Sequence, residues 1–171
     1  MKIKRITFYG IVSAVYVILC LLMGSFSYGP IQIRIAEVLM LLCIFDSRFI
    51  MPLTLGCFLA NLIGLFMGLN YLTLDVVFGS LATLISGILM FRFRRIKYRN
   101  IELLSLIIPG IVNGVIIAIE LTLYTSLVFN LSLFLTYFVY IFVSEILSTV
   151  LLGLLLYKPL KSIALYICQK E

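Results

Sequence analysis

The chain has 171 residues, 64% of them apolar and 12% charged, with thirteen Lys and Arg, seven Asp and Glu and no His. A soluble domain sits near half apolar and a quarter charged, so lipid must be the solvent for most of this surface, and one compact bundle accounts for the length. The net charge of +6 does not indicate nucleic acid, because the basic residues fall in short tracts between apolar runs.

The first apolar run, approximately 6–24, follows Lys2, Lys4 and Arg5. A basic start and an apolar run also describe a signal peptide. This run is long, carries no small-x-small cleavage site and precedes further spans, so it is expected as the first helix. Residues 25–34 contain Gly29-Pro30 and read as a loop. The second run, 35–45, is short and interrupted by Glu37, which predicts a short, tilted or partly re-entrant helix. Asp46-Ser47-Arg48 is a polar turn. Helix three is expected over 49–67, with Pro52 in its first turn, where a missing N–H is tolerated. Helix four follows over 72–91, then a basic loop over 92–100. Helix five covers 103–128 despite Pro109-Gly110, and helix six covers 131–157, stopped by Lys158-Pro159 before a short tail. The expected architecture is therefore an all-α integral membrane protein: one six-transmembrane-helix domain over 1–171.

With six spans, twelve of the thirteen cations fall on one face, and Arg34 alone falls on the other. The positive-inside rule then puts both termini in the cytoplasm. Gly56, Ala60, Gly64 and Gly68 recur at four-residue steps in helix three, Gly110 and Gly114 in helix five, and Gly10 and Ala14 in helix one. Such ladders allow close helix packing in lipid, within the bundle or, for helix one, against a partner. Cys20, Cys43, Cys57 and Cys168 have no metal-ligand spacing and read as reduced and structural.

Ionisable groups inside apolar runs cost about 2.5–3.5 kcal/mol each near a helix centre, so they mark function. Four carboxylates qualify: Glu37, Asp75, Glu120 and Glu145. The topology puts all four in the external half of the bundle, with Gln32 and Arg34 at the same level. Asn61 and Asn113 add amides. Asn113 and Glu120 are seven apart and share a helical face, with Tyr124 one turn beyond; Tyr137 lies eight before Glu145. The set reads as an outward-facing, acceptor-rich pocket with aromatic walls, suited to a small ligand with several N–H donors and a positive charge. Structural alternatives exist for each. Arg34 and Glu37 can pair at the mouth, Asp75 can stabilise a helix start, Glu120 and Glu145 can bond between helices, and the tyrosines can form an interfacial belt. Without His, P-loop or GxSxG, neither a His-ligated metal, nor ATP hydrolysis, nor a membrane enzyme is favoured. No cofactor is expected. A scaffold subunit would have no reason to bury four acids.

Gly29-Pro30-Ile31-Gln32-Ile33-Arg34-Ile35-Ala36-Glu37 resembles the GPIQ-[FI]-R-[VI]-[SA]-E signature of the QueT family of queuosine-precursor transporters. Leu53-Thr54-Leu55-Gly56-Cys57-Phe58-Leu59-Ala60-Asn61 and Asp75-Val76-Val77-Phe78-Gly79-Ser80-Leu81-Ala82-Thr83-Leu84 resemble two further blocks of that family. The resemblance implies a substrate-binding S component of an energy-coupling factor (ECF) transporter in the bacterial cytoplasmic membrane. Such a subunit has no catalytic activity of its own and works with a transmembrane coupling subunit and two ATPases. It also implies that an AxxxA-like motif on helix one, here Gly10 and Ala14, touches the coupling subunit. The implied ligand is a 7-deazaguanine such as 7-aminomethyl-7-deazaguanine or queuine; another vitamin-like molecule is the alternative. The guanine-like edge is then expected on Glu37 or Asp75, the amine on Glu120 or Glu145, and O6 on Arg34, Gln32 or Asn61.

Overall fold

A computed structural model describes residues 2–28, 34–97 and 102–169. Among these residues every regular element is helical. Helix α1 spans Lys2–Leu22 and ends in a 3-10 turn, Gly24–Ser27. A 3-10 segment, Ile35–Met40, runs directly into α2, Leu41–Phe45. The turn Ser47–Phe49 leads into α3, Ile50–Phe66, followed by α4, Asp75–Phe93, and α5, Leu103–Ser126. Helix α6, Leu131–Ile146, passes through a π segment, Leu147–Leu152, into α7, Gly153–Gln169.

Among the described residues, four helical stretches are long and apolar enough to cross a membrane: Ser47–Phe66, Asp75–Phe93, Leu103–Ser126 and Leu131–Ile167. Ile6–Leu22 and Ile35–Phe45 are apolar but shorter. The outer surface is greasy, with Leu22, Phe66 and Leu127 each more than three-quarters exposed, while Arg34, Glu37, Asp75 and Glu145 are buried. This is the inside-out polarity of a protein dissolved in lipid.

Helix α1 packs on α3, α3 on α4, α4 on α5 and α5 on α6. Glycines make these approaches possible. A Cβ on Gly56 would stand 3.0 Å from the Tyr16 Cβ, and one on Gly114 would stand 3.0 Å from the Phe138 ring. The small residues within α3 and α5 thus serve packing inside the bundle, whereas Gly68 falls beyond the end of α3, at a φ of +71° and with nothing within 4 Å of an added Cβ. On α1 the pattern differs: a Cβ on Gly10 would meet nothing within 4 Å, and Ala14 is exposed. The short second helix is formed as expected, half 3-10 and half α, with most of its residues fully buried. Thr149 donates to the Leu106 carbonyl at 2.9 Å in the turn before Pro109, where the proline disturbs the helical ladder.

The last helix departs from the sequence expectation. It does not stop at Lys158-Pro159; α7 carries Pro159 in its interior and continues to Gln169. Proline removes one hydrogen bond and costs about 3 kcal/mol in a helix interior. Beyond it, Leu160 and Ala164 are buried in the main core, and that burial offsets the loss.

One end of the bundle gathers the charged tracts. Tyr9 packs edge-on against Phe49 at 5.5 Å, and Phe45 against Tyr157 at 5.5 Å. Tyr157 donates to Glu102 Oε2 at 2.5 Å, and Lys97 Nζ lies 3.0 Å from Glu102 Oε1. The start of α1, the turn after α2, the connection between α4 and α5, and α7 therefore meet there. Burial alone would raise the Glu102 carboxyl, but the bonds from Tyr157 and Lys97 outweigh it and hold it below its ordinary value. Asp75 opens α4 and Arg92 lies in its last turn, about 25 Å apart by helix rise, so the polar cluster around Asp75 belongs to the opposite end.

Candidate functional site

Arg34 precedes the 3-10 segment, and its side chain is 2% exposed. Its Nη2 lies 3.1 Å from Asp75 Oδ2, its Nε donates to the Ser27 carbonyl at 3.2 Å, and its Nη1 approaches Cys57 Sγ at 4.0 Å. Asp75 is fully buried at the first residue of α4, where the helix dipole also favours a negative charge. Asn70 donates to the same Oδ2 at 3.0 Å, and its own carbonyl oxygen accepts from the Leu72 N–H at 3.0 Å, which fixes the amide. Asn61 Nδ2 donates to the Asp75 carbonyl at 2.9 Å. Gly79 leaves room for this knot: a Cβ there would stand 2.6 Å from Asn61 Nδ2 and 2.8 Å from Asp75 Oδ1.

The direct pairing of Arg34 with Glu37 is not the one formed. The 3-10 turn bonds the Glu37 N–H to the Arg34 carbonyl at 3.0 Å, and the two side chains diverge. Glu37 turns to α1, where Tyr16 donates to its Oε1 at 2.6 Å. Tyr16 is itself fully buried and lies over Gly56.

Glu145, near the end of α6, is 2% exposed and accepts from Asn113 Nδ2 at 2.8 Å through Oε1. Thr149, in the π segment, donates to the Glu145 carbonyl at 2.7 Å. Single π turns within α-helices recur at functional sites. Glu145 interacts electrostatically with Glu37 and Arg34. Glu120 is 5% exposed and interacts with Asp75 and Arg34. Each of the four acids thus lies within electrostatic reach of Arg34.

Within this cluster, buried oxygens lack a protein donor: Glu37 Oε2, Asp75 Oδ1, Glu145 Oε2, Asn113 Oδ1 and both oxygens of Glu120. An unsatisfied buried polar atom costs about 1–3 kcal/mol, and more when charged. Their number around Arg34 makes this the candidate surface for a ligand rich in hydrogen-bond donors.

Of the residues singled out in the sequence, Arg34, Glu37, Asn61, Asp75, Asn113, Glu120 and Glu145 come together. Tyr137 is half-buried and packs against a small cluster of Leu72, Ile117, Ala118, Leu121 and Ile141, beside the site. Tyr124 is 58% exposed and lies apart from it. Gln32 falls outside the described residues. Gly10 lines an open, mostly apolar groove of about 470 Å³ between α1 and α3, with Tyr9, Ser13, Met51 and Leu55. Among the described residues no group of three His, Cys, Asp or Glu is placed to hold a metal ion. Sequence reasoning missed Tyr16, Asn70 and Gly79. Asn70 was visible as an amide five residues before Asp75, and Gly79 as a small residue one turn after it; Tyr16 carried no such signal.

A sequence model of the family described as QueT transporter matches residues 6–162. A protein of Lactococcus lactis subsp. cremoris (strain MG1363), named queuosine precursor transporter QueT, is 37% identical over 99 residues, covering 54% of this chain and 55% of its own. The match spans about half the length of that relative. No solved structure matches the chain. The chain belongs to the QueT transporter family, as a multi-pass protein of the bacterial cytoplasmic membrane.

Proposed function

We propose that this chain is the substrate-binding subunit of an ECF-type importer, taking a queuosine precursor of the 7-deazaguanine class at the outer face. The observation that carries this reading is the set of buried carboxylate oxygens without protein donors, gathered around Arg34. A 7-deazaguanine supplies what they lack: N1–H, a 2-amino group, a ring N–H and, in the aminomethyl form, an ammonium. The second arm of Arg34, held only by a long contact to Cys57 Sγ, leaves a donor for O6. The name of the Lactococcus relative, a queuosine precursor transporter, supports the same ligand class.

The proposed topology has six spans, with α1, the 35–45 segment, α3, α4, α5 and the α6–α7 helix each crossing once. Both termini are cytoplasmic in this reading. Its support is the grouping of the basic tracts at the end opposite Asp75, together with the positive-inside rule. The exposed Gly10 and Ala14 on α1, with the groove beside them, suit contact with a transmembrane coupling subunit, and two ATPases supply the energy.

Purified protein in detergent should bind 7-aminomethyl-7-deazaguanine with a Kd on the order of nanomolar, without ATP or metal. Calorimetry measures this directly. An absence of binding to every 7-deazaguanine tried, under conditions where the protein stays folded, overturns the ligand assignment.

A further inference from the structure

Three of the four carboxylates of the candidate site already spend one oxygen on the protein. Tyr16 holds Glu37 Oε1 at 2.6 Å, Asn113 holds Glu145 Oε1 at 2.8 Å, and Arg34 and Asn70 hold Asp75 Oδ2 at 3.1 and 3.0 Å. Each keeps one oxygen without a donor. Glu120 differs: it is 5% exposed and neither of its oxygens has a partner. A carboxylate with both oxygens free accepts two parallel N–H bonds from one planar edge, as it does from a guanidinium. A carboxylate with one oxygen already held by the protein is less suited to that paired, planar contact.

Glu37 and Glu145 form the second element. Their free oxygens, Oε2 in each, are buried, the two side chains interact electrostatically, and the 3-10 segment bearing Glu37 packs on the π segment that follows Glu145. Two negative groups with one open acceptor each suit an ammonium, which carries three donors and a charge that offsets their repulsion.

The two elements lie at different levels along α5. Glu145 is bonded to Asn113, and Asn113 lies seven residues before Glu120 on the same continuous helix. Seven residues rise about 10 Å. A flat bicyclic base with a one-carbon amine arm is of comparable length.

We infer that Glu120 reads the paired N1–H and 2-amino edge of the base, while Glu37 and Glu145 together take a primary ammonium at the opposite end. This rests on the 7-deazaguanine reading above and gives that ligand a direction. It reverses the sequence-based expectation for the guanine-like edge, which favoured Glu37 or Asp75, because Asp75 is already engaged by two side chains and Glu37 by one.

The test is a matrix of binding constants. The probes are 7-aminomethyl-7-deazaguanine, its counterpart lacking the 2-amino group, and its 7-methyl counterpart lacking the amine. They are titrated against wild type, Glu120→Gln and Glu145→Gln. In wild type, each truncated probe should bind about ten- to a hundredfold more weakly than the parent. Glu120→Gln should lose the preference for the 2-amino group, since the new amide N–H faces it, and keep the preference for the amine. Glu145→Gln should do the reverse. The inference is overturned if Glu120→Gln keeps the 2-amino preference, or if Glu145→Gln is the variant that loses it. If Glu120→Gln binds none of the probes, the Glu145→Gln row decides: loss of the amine preference alone supports the inference, and any other pattern overturns it. Failure of wild type to bind any probe overturns the ligand reading itself and is distinguishable from every one of these results.

Discussion

Arg34 Nη2 lies 3.1 Å from Asp75 Oδ2, with the two side chains 2% and 0% exposed, and this pair ties the loop before the second helix to the start of α4. A charge removed from water this far needs its partner. Breaking a buried pair by removing one member costs about 3–5 kcal/mol, because the survivor is left uncompensated. Arg34→Met and Asp75→Leu should each lower stability by about that amount in denaturant unfolding in detergent, and the double variant should be less destabilised than the sum. Additive losses would remove the pair from the account of stability.

Gly79 is held to its size by its neighbours. Gly79→Ala pushes a methyl to within 2.6 Å of Asn61 Nδ2 and 2.8 Å of Asp75 Oδ1. Overpacking of this kind costs about 1–3 kcal/mol. The expected outcome is weaker ligand binding together with a lower melting temperature. Gly10→Ala is the control, since its Cβ meets nothing within 4 Å, and it should leave both quantities unchanged.

Tyr16 turns Glu37 by donating to Oε1, so its hydroxyl shapes the site without needing to touch ligand. Tyr16→Phe should weaken binding of the aminomethyl base about tenfold. The binding of the 7-methyl counterpart should change much less. Equal loss for both probes would mean that Tyr16 acts on the fold and not on the ammonium end.

Gly10→Leu addresses the outer face of α1. Its position in an open groove means the fold and the ligand site should accept the larger side chain. Calorimetry should show unchanged affinity. Uptake by cells carrying the coupling subunit and ATPases should fall by about tenfold or more, since close helix approach depends on small residues. A parallel loss of binding and uptake would count against a partner contact here.

Glu102 predicts an acid-side effect at the other end of the molecule. Its carboxyl is held below its ordinary value of 4.5, since the bonds from Tyr157 and Lys97 outweigh burial. A group depressed in the folded state stabilises it above the unfolded value, and that stability is lost as pH falls through the folded value. Unfolding followed from pH 6 down to about 3 should therefore show a decline that Glu102→Gln flattens. Tyr157→Phe removes one of the bonds, so the decline should be smaller and should end at higher pH.

Composition alone determined that the chain lives in lipid, since 64% apolar residues cannot be hidden from water by a chain of this size. Apolar runs bounded by charges and by Gly and Pro located the helices, including the short second one, except that the last runs on through Pro159. The cost of ionisable groups in apolar runs picked out Arg34, Glu37, Asp75, Glu120 and Glu145 as a set. Which of them meet was decided only in three dimensions. Arg34 finds Asp75 across 41 residues, Tyr16 finds Glu37 across 21, and Asn113 finds Glu145 across 32. Such partners depend on how helices are rotated and crossed against one another, which no periodicity within one helix records. Tyr124 shares the azimuth of Glu120 on α5, yet it is exposed, because it lies past the level at which neighbouring helices cover that face. Pro159 sits inside a helix because residues beyond it are buried, a fact of packing and not of local propensity. The tertiary structure also left Glu120 with both oxygens free while engaging one oxygen of each of its three fellow acids, and the proposed direction of the ligand rests on that difference.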